Sequence, residues 1–507
     1  MCMPSIQLRT LIPLLGVVLA LFIPVVRRHL YLPREIRPFQ VYTIDRRHMS
    51  GTDGNPQGGD DTMDAIRCAT LHNTLVEHAW VAEGHRLEEL DRRSFFQYYG
   101  DAADELRDRL DPALALFLEL TITSEDLPAF FYWVSGLMLP NEMFLAEEMF
   151  PEDERDRFVV LYRTNTGIVG HALGLVYDQK LHRATMALAI EDIDITNPVD
   201  EHGSLWHPLG AVLENWLHMI EIGKITASQN ETCNEKYGPW TWHPYSATQV
   251  DSTVAAFERL TTAIEDRMSP NRLLDISSGP LLSDTNLDAA SVPQECFIRQ
   301  FLTRARRPRF KTIAPGLEVP LDPDVFLANQ KFTVMNARSE YGDLIPPVLI
   351  FASTERRTVN FDSPSRYVSI NPFCRIFADL VPRGDESTPA GLYSESVERW
   401  TVDNSEDGFR LVLPFRFRTN NEEDGARKSD GWPVGKHSVA DLFQHGFKPF
   451  GGEWWRAQRL ERLFDKWREL IESGVWGVGH DGVQGSIDTF RDAATGRWSD
   501  YWIEPTW

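Results

Sequence analysis

Leu11-Ile-Pro-Leu-Leu-Gly-Val-Val-Leu-Ala-Leu-Phe-Ile-Pro-Val-Val26 is a run of sixteen residues with no charge and no strongly polar side chain. As a helix it spans about 24 Å, slightly less than a hydrocarbon core of about 30 Å. Ser5 to Leu8 can lengthen it. Pro13 and Pro24 lie near its ends, where a missing N–H costs least. A cleaved signal peptide wants a basic start and a small-x-small cleavage site. Only Arg9 precedes the run, and Pro24-Val-Val-Arg-Arg28 offers no such site. Residues 1–29 therefore read as a retained anchor, a single transmembrane helix that contacts the lipid membrane.

Working outward from the run, Arg27, Arg28, Arg34 and Arg37 follow it, whereas Arg9 and the α-amino group precede it. The positive-inside rule places the large C-terminal part in the cytosol. The expected location is a single-pass membrane protein of the endoplasmic reticulum with its large domain cytosolic. The five cysteines (Cys2, Cys68, Cys233, Cys296, Cys374) are scattered and odd in number, which suits a reducing compartment. Asn230-Glu-Thr232 is one glycosylation sequon, and Asn230 is an acceptor only if luminal.

The chain has 507 residues, 42% of them apolar, 11% aromatic and 25% charged. Those values exclude a disordered or low-complexity chain. Lys plus Arg total 51 against 74 Asp plus Glu, a formal net charge of −23. Such a chain repels polyanions, so no nucleic-acid partner is expected.

Residues 30–62 read as a tether, with Pro33, Pro38, Pro56 and four glycines between Ser50 and Asp61. Residues 63–270 read as mainly helical. Ser246 and Gln249 form a capping box ahead of Val250, Val254, Phe257, Ile264 and Met268 at helical spacing. Leu209, Val212, Leu213, Trp216 and Ile220 share one face of a helix that starts at Pro208. Ile168 to Ile195 fits either a buried hairpin or two helix pieces, because periodicity alone does not decide.

Residues 271–309 look linker-like. Residues 310–430 are β-rich, with strand-like runs at 347–351 and 410–418. Residues 431–507 form a Trp-rich helical region holding eight of the fifteen tryptophans. Its helix carries Trp455, Leu460, Leu463, Phe464, Trp467 and Ile471, with Gly474 at the C-terminal cap. The expected fold class is α+β: an N-terminal single transmembrane helix, then a mainly helical globular part with a β-rich segment near 310–420.

Candidate chemistry is sparse. Asp60-Asp-Thr-Met-Asp64 has the D-D-x-x-D form that holds Mg²⁺ against a diphosphate, but no second metal site accompanies it. An acidic first turn at a helix start explains it as well. Glu191-Asp-Ile-Asp194 contains the D-x-D used by metal-dependent sugar-nucleotide transferases. Asp322-Pro-Asp324 matches the same short pattern, so chance matches are expected.

Gly477 to Gly482 matches G-x-G-x-x-G but follows a helix where a dinucleotide site needs a strand. Gly431 to Ser438 is one residue short of a P-loop. The fourteen histidines show no metal spacing, and neither a nucleophile elbow nor a C-x-x-C occurs. Arg304, Arg306, Arg307, Arg309 and Lys311 form a basic run that reads as a solvated face before an anion site. Trp240, Trp242 and His243, in Gly238-Pro-Trp-Thr-Trp-His-Pro-Tyr-Ser246, are the candidate ligand-binding residues for an apolar pocket. A core staple is the alternative. No catalytic residue, metal ligand or cofactor is assigned.

The segments Gly238–Ser246, His445-Gly-Phe-Lys-Pro-Phe-Gly-Gly-Glu-Trp-Trp-Arg456 and Ile503-Glu-Pro-Thr-Trp507 resemble a family of predicted filamentous-fungal proteins with a Trp-rich C-terminal region and no known activity. The resemblance covers roughly residues 200–507 and carries no catalytic residue over. It implies a fungal-like source, with secondary-metabolite biosynthesis as the associated setting.

Three functions are expected in order. The first is a membrane-anchored enzyme or accessory protein handling an apolar small molecule. The second is a non-catalytic, membrane-tethered scaffold or interaction protein. The third is a metal-dependent sugar-nucleotide transferase.

Overall fold

The computed structural model describes residues 62–507, except 125, 126, 128, 146–153, 167, 194–198, 200, 201, 230–236, 277, 337–342, 362–370, 374–387, 402, 418–423 and 453–455. The expected anchor at Leu11–Val26 lies outside the described residues, as does nearly all of the tether.

Met63 and Asp64 lead into α1 (Ala65–Ala82), where Asp64 Oδ1 accepts the Arg67 N–H at 3.0 Å. This is the work of an N-cap residue, so the last Asp of the D-D-x-x-D run is structural. α2 (Pro112–Leu120) opens with proline in its first turn and Asp111 as cap. An antiparallel meander follows: β1 (Val134–Leu137), β2 (Phe158–Thr164), β3 (Ala172–Asp178) and β4 (Arg183–Ala189), in that order across the sheet.

The β3–β4 turn explains why Asp178-Gln179-Lys180 makes a hairpin and not a helix break. The Asp178 carboxylate accepts from the backbone N–H groups of Lys180 and Leu181 at 2.8 and 3.1 Å and from Arg157 Nη2 at 2.7 Å. Three donors thereby stabilise the turn and compensate a fully buried charge.

Next come α3 (Leu209–Glu221) and a short hairpin of β5 (Ile225–Ala227) and β6 (Trp240–Trp242), in which Ile225 faces Trp242. α4 (Ala247–Glu265) begins at the Ser246/Gln249 capping box. α5 (Phe297–Arg304) precedes a second antiparallel sheet. Its strands are β7 (Thr312–Ala314), β8 (Leu317–Glu318), β9 (Leu349–Ser353), β10 (Gly391–Ser394) and β11 (Phe409–Val412), in the order β11-β10-β9-β8-β7. α6 (Leu460–Glu472) packs on α4, with Phe257 5.2 Å from Phe464, and Gly474 turns the chain away at φ +76°.

The expected class is corrected here. The structure is 37% helix and 19% strand. Among the described residues no helix is long and apolar enough to cross a membrane. The globular part is not mainly helical, because a four-stranded sheet occupies 134–189. Its inner strands are buried on both faces, so they lack the polar alternation that marks a half-exposed strand. The segment 271–309 is also more than a link: Leu281, Leu282, Leu287, Phe297 and Phe301 are buried core residues.

Residues 61–507 pack as one compact unit. Inside it lie two apolar cores. One is built from residues between Met63 and Trp240, the other from residues between Val250 and Ile503. Phe447, Phe450 and Trp507 cross back to complete the first. Pro449 O accepts from Met186 N–H at 2.8 Å, and Phe450 O from Trp216 Nε1 at 2.7 Å.

Candidate functional site

The two cores meet along a seam where buried polar groups concentrate. It is assembled from five distant stretches: Tyr132–Trp133, Lys224 with Tyr237–Tyr245, Asp403–Asp407, Gln444–Gly452 with Arg456–Arg459, and Thr506–Trp507.

Lys224 is fully buried. It follows α3 directly after Gly223, whose φ of +71° reverses the chain. Its Nζ donates to Pro244 O at 2.8 Å and Asn404 O at 3.2 Å, and sits 4.5 Å from the centre of the Trp242 ring. Burial pushes its pKa down to about 8, partly offset by the charge of Asp407.

Arg456 Nη1 donates to Asp403 Oδ1, and Nη2 donates to Gly451 O at 3.1 Å. The guanidinium lies 5.5 Å from the Trp133 ring and 5.4 Å from the Trp242 ring, a cation beside two indoles that contact each other at 5.8 Å. Tyr132 extends this wall: its ring stacks on Tyr237 at 5.1 Å and lies 5.4 Å from Trp242. Burial, helped by the Asp403 charge, pushes the Tyr132 phenol well above its usual range.

The Gly451-Gly452 pair is what allows the arrangement. A Cβ on Gly451 (φ +103°) would lie 2.5 Å from the Trp133 ring, and one on Gly452 (φ +122°) 2.6 Å from Arg456 Nη2.

Further along, the Gln458 side-chain amide faces His445 Nδ1 at 3.4 Å. Burial holds His445 well below the usual imidazole range, and Lys448, Arg456, Arg459 and Arg462 add to it. Arg459 Nη2 donates to Thr506 Oγ1 at 3.0 Å, and its guanidinium stacks 4.0 Å from the Trp507 ring centre. The acids are engaged. Asp407 accepts from Gln249 Nε2 and Ser405 Oγ, both at 2.6 Å. Asp430 accepts the backbone N–H groups of Phe447 and Trp432 at 2.7 and 3.0 Å.

The three candidate ligand residues separate. Trp240 is a core anchor: it is buried, donates Nε1 to Ala129 O at 2.6 Å, and meets Phe131 edge-on. Trp242 lies half-buried in the seam, with Nε1 bonded to Asn404 O. His243 is beside it, half-buried, with Nε2 2.7 Å from Thr226 Oγ1; burial and then Lys224 lower its pKa. Asn230 lies outside the described residues, as do Asp60, Asp61 and Asp194.

The other motifs resolve into structural parts. Asp192 Oδ2 accepts the Ala189 N–H in a turn after β4, and Asp322 caps the short helix Pro323–Ala328. The glycines at 477–482 form a tight loop closed by the Gly479 N–H on Gly482 O. Arg304, Arg306 and Lys311 pair with Asp251, Glu265 and Asp481. Among the described residues no group of three His, Cys, Asp or Glu side chains is placed to hold a metal ion.

Lys224, Asp403 and Arg459 carry no motif and were not legible as site residues. The available signal was indirect: the three stretches quoted for the resemblance supply Trp242, His445, Arg456 and Trp507, which the fold gathers along this one seam. No family model, curated protein or solved structure matches this chain.

Proposed function

We propose that the protein is an enzyme or accessory protein that handles an apolar small molecule at the seam, in the biosynthetic setting that the sequence resemblance suggests. One observation carries this reading. Half-buried Tyr237 and Trp242 flank Tyr132 and lead inward to Lys224 and the Arg456–Asp403 pair. Aromatic surface converging on a few placed polar groups is the usual composition of a small-molecule site. An amine held near pKa 8 adds a group that changes protonation close to neutral pH.

The test is titration of the full-length chain with a panel of flat apolar compounds, read by tryptophan fluorescence and thermal unfolding. Saturable binding is expected, weakened about tenfold or more in Trp242→Ala and in Tyr237→Ala, with circular dichroism unchanged. Absence of saturable binding across the panel, or equal affinity in both variants, sinks the proposal.

A second reading, a non-catalytic interaction protein, is favoured by α2. That helix is apolar on nearly every side and leaves Leu116 and Leu120 exposed, while Ile66 on α1 is 66% exposed. This reading expects the chain to self-associate with concentration in sedimentation velocity, and Leu116→Asp with Leu120→Asp to abolish it. A chain that stays monomeric throughout counts against it.

A further inference from the structure

We infer that the corner of the seam formed by His445, Arg459 and Trp507 holds the carboxylate of an amphipathic organic acid. The inference rests on the small-molecule reading above and names the headgroup of its ligand.

Three buried nitrogen atoms on these side chains have no hydrogen-bond partner among the described residues: His445 Nε2, Arg459 Nε and Trp507 Nε1. Arg459 lies against the Trp507 ring and close enough to His445 to act on it electrostatically. The Gln458 amide is a donor at His445 Nδ1, so Nδ1 accepts and the ring proton resides on Nε2. All three orphan atoms are therefore N–H donors. A buried donor is costly to leave unmade, and native structures satisfy nearly all of them. What such donors need is an acceptor, and a carboxylate is acceptor-only.

The charge around the corner has the matching sign. Arg456, Arg459 and Arg462 are cations close to His445, and Lys448 lies there too, its pKa pulled well below the usual range by burial. Asp403 is committed to Arg456, and both Asp430 oxygens take backbone N–H groups. The ion pair of Arg459 with Glu461 is stretched to 4.0 Å. A buried cation held at that length from its counter-ion favours a second anion. A metal ion fits none of this, because the corner offers donors and cations. The aromatic wall of Trp133 and Trp242 lies along the same seam and suits an apolar tail.

The experiment titrates the full-length chain with matched pairs, indole-3-acetic acid against indole-3-acetamide and decanoic acid against decanamide, with inorganic phosphate alongside. Each acid is expected to bind about tenfold or more tighter than its amide. That preference should shrink severalfold in His445→Phe and Arg459→Gln. Arg462→Gln, half-exposed on α6, should shrink it too while keeping the wild-type melting temperature, so a folding defect in the first two variants does not obscure the result. Equal affinities of acid and amide overturn this inference and leave the small-molecule reading standing. Binding by neither member of either pair overturns both. Phosphate binding as tightly as the acids overturns the organic-acid assignment.

Discussion

Arg456 and Asp403 form a 2.5 Å ion pair with 3% and 0% of their side chains exposed, the guanidinium resting beside the contacting rings of Trp133 and Trp242. Removing one partner strands a charge in a dry environment. Asp403→Ala should therefore cost about 3–5 kcal/mol in urea unfolding. Replacing both, as Asp403→Leu with Arg456→Met, should cost clearly less than the single change. A double replacement as damaging as the single one would mean the pair is net stabilising and not merely compensated.

Gly451 faces the Trp133 ring with φ +103°, a conformation that disfavours any side chain. Gly451→Ala should lose about 2–4 kcal/mol, combining overpacking with backbone strain. Gly100, at φ +55° with open space around it, is the control. Gly100→Ala should lose less than Gly451→Ala, about 1–3 kcal/mol from backbone strain without a clash. Thermal melts of the two variants side by side decide the matter; equal losses would show that the Trp133 contact yields.

His72 is buried, with Nε2 3.1 Å from Ile122 O and Nδ1 2.8 Å from Tyr162 Oη. The carbonyl requires the proton on Nε2, so Nδ1 accepts from the Tyr162 hydroxyl. Burial lowers the pKa to about 4. The unfolded residue titrates near 6.5. Between these values the unfolded chain holds a proton that the folded chain lacks, so stability falls as pH drops, by about 1.4 kcal/mol per pH unit. Denaturation midpoints at pH 7 and pH 5 should show this slope. His72→Gln should reduce the slope by about 1.4 kcal/mol per pH unit, leaving the share of the other buried histidines such as His207 and His445; an unchanged slope in that variant would assign the acid sensitivity to them alone.

Ser246 accepts the Gln249 N–H at 3.2 Å while the Gln249 amide oxygen takes the Ser246 N–H at 3.0 Å. Ser246→Ala should destabilise the fold by about 1 kcal/mol. Gln249→Ala should cost more, because its Nε2 also reaches Asp407 at 2.6 Å in the seam. Equal losses in chemical denaturation would mean that the Gln249–Asp407 bond contributes nothing.

What was legible in the sequence was local. α3, α4 and α6 announce themselves through one apolar stripe each, and α4 and α6 also through a cap at Ser246 and a stop at Gly474. The sheet around Phe158–Ala189 hid because strands buried on both faces look as apolar as a core helix. Trp242 stood out by its aromatic neighbours, but so did Trp240, which the fold spends on the core. The seam as a site was not legible: Lys224, Asp403 and the stretch from His445 to Arg459 lie far apart in the chain, and only tertiary pairing makes them neighbours.

The crossing of Phe447, Phe450 and Trp507 into the first core bears on how the chain matures during synthesis. Trp216 waits for a carbonyl more than two hundred residues downstream. On the ribosome, residues 63–240 emerge with part of their interior lining still untranslated. They are left wet and adhesive until the final stretch arrives, which makes the nascent chain a client for chaperones and gives a late frameshift consequences at the opposite end of the molecule.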